Sequence, residues 1–170
     1  TYAFANPADL DMLRMPAEEG VEPVQLINPI NADQSVMRQT LIPGLLRSVA
    51  FNQNHGVPNI QLYEVGNVFT TAEGRKLPKQ RTKLACVLAG AMAEESWNTD
   101  PQPFDFFDGK GVLENIVREL ALPKVRFKAL DADAAPWLQP GRAAVLISAG
   151  AEIGWVGEIH PLVSKNFDVE

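Results

Sequence analysis

The sequence of 170 residues carries 15 basic and 21 acidic side chains, a net charge of −6, and 46% of its residues are hydrophobic. This length and composition predict one globular domain, 1–170, and argue against a disordered chain. The acidic balance disfavours independent binding to RNA or DNA, and no apolar run reaches the roughly 20 residues that a membrane helix needs. The single cysteine, Cys86, excludes an internal disulfide and fits a cytoplasmic location.

The first 40 residues predict short elements separated by turns. We expect a strand over residues 1–5, a short helix that Asn6 caps and Pro7 begins, and a second strand over 24–27. The chain starts without Met in strand-like alternation and stops in mid-pattern at Glu170. We therefore expect it to be a piece excised from a longer polypeptide and truncated at its C-terminal side.

An amphipathic helix is predicted to end at Asn54, with Thr40 as its N-cap. Pro43 is tolerable there because it falls in the first turn, and Gly44 suggests that another backbone packs close to the helix. The sequence Asn54-His55-Gly56 stops the helix. Its apolar residues recur with the spacing of a broad helical stripe: Leu41, Ile42, Leu45, Leu46, Val49 and Ala50.

Two strands are predicted over residues 60–69 and 82–91, joined by a polar loop that forms the tip of a hairpin. Residues 60–69 are rich in β-formers and apolar on both faces, and residues 82–91 are apolar at consecutive positions, which is typical of a strand buried on both faces. We therefore expect the second strand to be buried on both sides.

The second half of the chain predicts a helix over residues 109–122 capped by Asp108, and a strand over 125–130. A hairpin over 143–148 and 152–159 follows, and a short helix begins at His160-Pro161. Strands joined by tight turns, with two longer helices between them, indicate an α+β fold with a mainly antiparallel sheet flanked by helices.

Two charged side chains are candidates for chemistry. Glu64 lies within an apolar strand, so it is either a substrate or metal ligand on a pocket floor or the structural partner of a cation; we favour the structural partner. Arg142 follows a tight turn and can bind an anion or Glu64; we favour a structural ion pair. No metal-ligand spacing and no nucleophile-elbow pattern is present.

A basic cluster surrounds the predicted hairpin tip. Its cations can contact phosphate or nucleic acid, but in an acidic chain we favour a solvated tip. The cluster consists of Arg75, Lys76, Lys79, Arg81 and Lys83.

The order and spacing of several blocks resemble the core domain of the bacterial phenylalanine–tRNA ligase β subunit, over nearly all of the chain. Each block alone is weak, and together they are specific. The blocks are Asn28-Pro29, Met37-Arg38, Thr40-Leu41, Pro43-Gly44-Leu45-Leu46, Tyr63-Glu64-Val65-Gly66-Asn67-Val68-Phe69, Asp105-Phe106-Phe107-Asp108-Gly109-Lys110-Gly111, Gln139-Pro140-Gly141-Arg142 and Gly157-Glu158 with His160-Pro161.

This resemblance implies a domain like a class II aminoacyl-tRNA synthetase catalytic core that has lost catalysis. The class II signature Phe-Arg-x-Glu, which holds ATP in active members, would fall on Phe69-Thr70-Thr71-Ala72, where its arginine and glutamate are missing. Without that arginine, no fixed charge offsets the α-phosphate during adenylate formation. The resemblance therefore implies no cofactor in this segment, and ATP and Mg²⁺ for the holoenzyme.

The expected role is assembly with the catalytic α subunit in an (αβ)2 heterotetramer that charges tRNA(Phe) with phenylalanine. Glu64 and Arg142 would be the remnant of a substrate pocket. The alternatives are an active ATP-dependent ligase domain, for which this remnant would serve, and a tRNA-contacting module that uses the hairpin tip. The residues expected near the subunit interface lie on the predicted first long helix: Leu41, Leu45, Arg47, Val49 and Gln53.

Overall fold

The computed structural model describes residues 2–16, 21–71, 74, 77–93, 96–98 and 100–170. Among these residues, no helix combines the length and the apolar character needed to cross a membrane. The described elements in chain order are β1 (Phe4–Ala5), α1 (Asp9–Met12), β2 (Val36–Met37), α2 (Ile42–Asn54), β3 (Ile60–Thr70), β4 (Lys79–Ala89), α3 (Phe106–Glu119), β5 (Val125–Ala129), β6 (Leu138–Ser148), β7 (Ala151–Ile159) and α4 (Pro161–Asn166).

The strands form small antiparallel sheets, and the fold is α+β, as predicted. β1 pairs with β2, β3 pairs with β4, and β5, β6 and β7 form a three-stranded sheet with β6 in the centre. The described strands pair antiparallel, as predicted, but they form three sheets and not one.

The principal apolar core joins helices from both ends of the chain. Leu13 follows α1, Leu46 lies on α2, and Val163 and Phe167 lie on and just after α4; all four are buried in one cluster. Burial of such side chains stabilises a fold by roughly 1.5–3 kcal/mol each. The core therefore fixes α2 against both terminal helices.

The predicted helix up to Asn54 is confirmed as α2, but the expected cap at Thr40 is wrong. Leu41 occupies the N-cap position and supplies no side-chain hydrogen bond, and the Thr40 hydroxyl lies 3.5 Å from the amide nitrogen of Ile42. Pro43 lies in the first turn, where helical N–H groups have no intrahelical partner. The proline thus removes a donor that would otherwise need a cap.

β3 and β4 form a long hairpin with continuous pairing from Ile60↔Ala89 to Thr70↔Lys79. Strand 60–69 is confirmed, and its partner begins three residues before the predicted position. The expected burial of strand 82–91 on both faces is wrong, because Leu84 is 46% exposed and Cys86 is exposed. Tyr63 and Val65, which lie opposite them on β3, are 76% and 61% exposed. α2 contacts both strands, and Ile60 and Val68 on one face of β3 are buried, whereas Tyr63 and Val65 on its other face are exposed. The covered face does not extend to the tip side of β4, where Lys79, Arg81 and Lys83 are exposed.

The N-terminal elements are shorter than predicted. Strand 1–5 is reduced to β1, with Thr1 outside the described residues, and the first helix begins at Asp9 instead of Pro7. The expected strand over 24–27 is only an isolated bridge between Gln25 and Val36. β2, which contains Val36, has only two residues. It was not predicted, because so short a segment has no periodicity to detect.

α3 begins three residues before the predicted start, so the cap at Asp108 is wrong. The Asp105 carboxylate accepts hydrogen bonds from the amides of Phe107 (2.7 Å) and Asp108 (3.1 Å), and the Asp108 carboxylate accepts one from the Asp105 amide (2.9 Å). This reciprocal capping box makes Asp108 the third helical residue.

The predicted strands and the final helix of the C-terminal part are confirmed as β5, β6, β7 and α4, although β6 starts five residues early. Ala149 and Gly150 have φ values of 49° and 89° and form the tight turn between β6 and β7. His160 caps α4, since its Nδ1 atom accepts a hydrogen bond from the Leu162 amide at 3.1 Å.

Candidate functional site

Glu64 is held by Arg38, which follows β2. The Arg38 Nη1 atom lies 2.6 Å from the Glu64 carboxylate, and the two side chains are only 11% and 13% exposed. The guanidinium also donates to the backbone oxygens of Asn67 (2.8 Å) and Tyr2 (3.3 Å). Arg38 therefore ties the N-terminal segment to the middle of β3 through a charge-assisted network.

Gly66 provides the space for this arginine. A Cβ atom placed on Gly66 would lie 2.2 Å from the Arg38 Nη2 atom, which is far below any allowed contact. The backbone amide of Phe69 donates to the Arg38 carbonyl oxygen at 2.9 Å, so the main chains meet here as well. Glu64, Gly66 and Arg38 thus form one packed unit.

The structure does not bring Glu64 and Arg142 together as a pocket remnant. The Arg142 guanidinium lies 2.7 Å from the Glu158 carboxylate, across the β6–β7 pair, while Glu64 is bound to Arg38. Glu64 and Arg142 each make a structural ion pair, which is the alternative favoured for both from the sequence.

Arg38 was not among the residues selected from the sequence. Met37-Arg38 and Glu64-x-Gly66 occur in two blocks of the resemblance, so a cation in one block and a carboxylate in the other were visible. Nothing in a single sequence shows that segments 26 residues apart are adjacent.

Three of the five residues expected near a subunit interface are buried within this chain. Leu41, Leu45 and Val49 belong to its core. The Arg47 guanidinium binds both carboxylate oxygens of the buried Asp9. Gln53 exchanges two hydrogen bonds of 3.1 Å with the backbone of Glu170.

The exposed apolar side chain of α2 is Phe51, which the sequence prediction did not select. Phe51 is 62% exposed, and the His55 ring lies over it with centroids 4.2 Å apart. Any partner that reaches α2 in this fold would therefore meet Phe51 rather than the Leu41–Val49 side of the helix.

The open side of the β3–β4 hairpin carries exposed apolar side chains. Tyr63 lies opposite Cys86 and Val65 lies opposite Leu84, so all four side chains point to the same face of the sheet. Cys86 is exposed, as are the other three. We call these four residues the hairpin face.

The positions that correspond to the class II ATP signature offer no cation. Phe69 is buried, and the Thr71 hydroxyl exchanges hydrogen bonds with the backbone of Glu22, at 3.0 and 2.9 Å; Ala72 lies outside the described residues. These residues do not fit a triphosphate, whose charge requires fixed cations. Within the described part of the chain, no group of three or more His, Cys, Asp or Glu side chains is placed to hold a metal ion.

The basic cluster is partly described. Lys79, Arg81 and Lys83 lie on β4 and are exposed, whereas Arg75 and Lys76 lie outside the described residues. Exposure of these three side chains fits both a solvated tip and a contact to phosphate, so the choice between the two stays a prediction.

Comparison with known proteins gives a consistent result. The family described as "Phenylalanyl tRNA synthetase beta chain CLM domain" matches residues 1–170. A phenylalanine–tRNA ligase beta subunit from Carboxydothermus hydrogenoformans is 40% identical over 99% of this chain and 21% of its own length. That from Vibrio parahaemolyticus is 40% identical over 98% of this chain and 21% of its own length. That from Geobacter metallireducens is 36% identical over the whole chain and 21% of its own length.

The chain thus spans about a fifth of the length of these relatives. The match extends over the Arg38–Glu64 unit, α2 and the hairpin face alike, because it covers the full sequence. The chain belongs to the phenylalanyl-tRNA synthetase β-chain CLM domain family.

Proposed function

We propose that this chain is the non-catalytic, class II synthetase-like core of a phenylalanine–tRNA ligase β subunit. In this proposal it supports assembly with the catalytic α subunit in an (αβ)2 heterotetramer. That holoenzyme charges tRNA(Phe) with phenylalanine and uses ATP and Mg²⁺. Its relatives are ligase beta subunits, and the chain spans about a fifth of them, so the activity is assigned to the whole complex.

Two sets of residues support the loss of catalysis in this segment. Residues 69–72 supply neither the arginine nor the glutamate that the class II signature requires. Glu64 is bound to Arg38 in a nearly buried pair, and Arg142 is bound to Glu158. A new role for Glu64 would break an existing ion pair, which is costly because this pair is nearly buried.

The observation that carries the assembly role is the open hairpin face. Tyr63 and Val65 are 76% and 61% exposed in the middle of an 11-residue strand. A two-stranded hairpin is marginally stable in water without a covering layer, and a contiguous exposed apolar patch marks an interaction site. The hairpin face is therefore the surface on which we expect the catalytic subunit to dock.

Co-purification of the two subunits tests this role. Val65→Glu places a charge in the proposed contact, and we expect it to weaken binding of the α subunit by at least about 2 kcal/mol, since a buried charge without a partner is unfavourable. Leu120→Glu is the matched control, because Leu120 is 64% exposed at the end of α3. Phe51→Glu tests whether α2 contributes to the same contact.

Loss of the α subunit with Val65→Glu and its retention with Leu120→Glu supports docking at the hairpin face. Normal recovery of the complex with Val65→Glu places the interface elsewhere. If Phe51→Glu alone prevents co-purification, α2 is the docking element and the hairpin face is not.

A further inference from the structure

A regular row of cations lies along β4. Lys79, Arg81 and Lys83 are all exposed and occupy alternate positions, so their side chains leave the same face of the strand about 7 Å apart. In the neighbouring strand they lie opposite Thr70, Val68 and Gly66, none of which is acidic. We call these three residues the basic strip.

The described residues around the basic strip do not neutralise its charge. Among the described residues, none of its three side chains takes part in an ion pair. The next acidic residue along the same face, Glu64, is bound to Arg38. The strip therefore presents its positive charge to solvent.

The charge of the chain is also concentrated here. Residues 75–83 hold five of the 15 basic residues and no acidic residue, whereas the chain as a whole has a net charge of −6. A surface that contacts only solvent does not require basic residues to be separated from acidic residues in this way. A local positive field on an acidic protein orients a polyanion toward one place.

We propose that the basic strip binds the phosphodiester backbone of an RNA strand. The partner must be extended and negatively charged at regular intervals, because the three cations are collinear and evenly spaced. Successive phosphates of a polynucleotide meet this requirement, and contacts to them position the RNA without reading its sequence. The inference rests on the proposed function, in which the RNA is the tRNA that the assembled ligase charges.

Protection of an edge strand is the competing explanation, since cations on edge strands prevent unwanted pairing. The chain offers a matched comparison: Lys124, Arg126 and Lys128 repeat the same spacing just before and along β5, which is also an edge strand. That row is followed by Asp131 and Asp133, so its charge is partly balanced in sequence. It serves as the control.

The test measures tRNA binding by the assembled αβ ligase at several salt concentrations. The variant Lys79→Gln/Arg81→Gln/Lys83→Gln removes the basic strip, and Lys124→Gln/Arg126→Gln/Lys128→Gln removes the same charge from β5. Loss of three phosphate contacts should reduce the slope of log K against log salt by about 2–3 and weaken binding about tenfold or more at low salt. The β5 variant should behave as the wild type.

Equal slopes for the two triple variants and the wild type overturn the proposal. Unchanged tRNA binding together with self-association of the β4 variant assigns the strip to edge protection. If the β4 variant binds tRNA normally but no longer binds the α subunit, the basic strip contacts an acidic protein surface instead of RNA. If the β4 variant does not fold, the single substitutions Lys79→Gln, Arg81→Gln and Lys83→Gln each test for a slope change of about 1.

Failure of this proposal is distinguishable from failure of the assembly role. Co-purification of the subunits reports on assembly, whereas the salt slope reports on the strip. The charge-conserving variant Lys79→Arg/Lys83→Arg should keep the wild-type slope, because Arg and Lys both neutralise phosphate. A reduced slope in this variant contradicts an electrostatic role.

Discussion

Glu64 and Arg38 connect two segments whose main chains are otherwise joined by few hydrogen bonds. Both side chains are nearly buried, and Arg38 also binds the backbone of Asn67 and Tyr2. Removing one partner of such a pair leaves a charge without compensation in a poorly hydrated place. The pair is therefore a stabilising contact between the N-terminal segment and β3.

Glu64→Gln should lower the free energy of unfolding by about 3 kcal/mol, because it replaces the carboxylate of a nearly buried ion pair by a neutral amide. Glu119→Gln is the control: Glu119 faces Arg118 at 3.7 Å, and both side chains are more than 70% exposed. That change should cost less than about 0.5 kcal/mol. Urea unfolding followed by circular dichroism compares the two, and equal midpoints would refute the assignment.

At the residue scale, the sequence shows which side chains need a partner but not which partner they find. An acidic residue within an apolar strand predicted a cationic partner for Glu64. The close approach of Arg38 to Gly66 was not predicted. The choice of Arg38 over Arg142 depends on how β2 is placed beside β3, which no local pattern contains. Phe51 was missed because an exposed aromatic side chain on a helix breaks no rule of periodicity.

At the element scale, local signals determined α2 and β3 well and α3 less well. The sequence Asn54-His55-Gly56 is a helix stop signal, so the C-terminal end of α2 could be predicted. At α3, Asp105 and Asp108 are both acceptable caps, and the apolar stripe begins only after them. The reciprocal hydrogen bonds that distinguish the two are set by the backbone angles of Asp105.

Removal of the α3 cap should lower the stability of the domain by a measurable amount. Asp105→Ala should destabilise the domain by about 1 kcal/mol, within the usual range for an N-cap side chain. Asp133→Ala is a suitable control, since Asp133 is exposed and its carboxylate makes no hydrogen bond to the residues that the structure describes. Thermal unfolding should give a lower Tm for Asp105→Ala alone; identical Tm values would argue against the capping box.

The burial of β4 illustrates what strand patterns leave open. Leu84, Ala85, Cys86, Val87, Leu88 and Ala89 are consecutive apolar residues, and such a run predicts apolar surroundings on both faces. In this chain α2 contacts both strands of the hairpin, while Leu84 and Cys86 stay exposed on the opposite face. The pattern is consistent with a covering layer that another polypeptide provides.

At the scale of the whole molecule, the hairpin separates two kinds of surface. The hairpin face is apolar and lies near its middle, and the basic strip lies toward its tip, on the other face of β4. We assign the first to the catalytic subunit and the second to RNA. Under these two proposals, the separation of the surfaces allows the hairpin to contact both partners at once.

Protection of Cys86 tests the central claim most directly, because this thiol is the only one in the chain and lies on the hairpin face. Desolvation by the surrounding protein atoms raises the pKa of the Cys86 thiol, although the side chain is exposed, so less thiolate is present at a given pH than for a free cysteine. Labelling therefore needs a more alkaline buffer. Iodoacetamide labelling of the Cys86 peptide is measured by mass spectrometry for the 170-residue chain and for the assembled αβ ligase. We predict labelling of the chain and at least about tenfold slower labelling in the complex, as expected for a dry interface. Equal labelling rates in a stoichiometric complex would contradict docking of the catalytic subunit on the hairpin face.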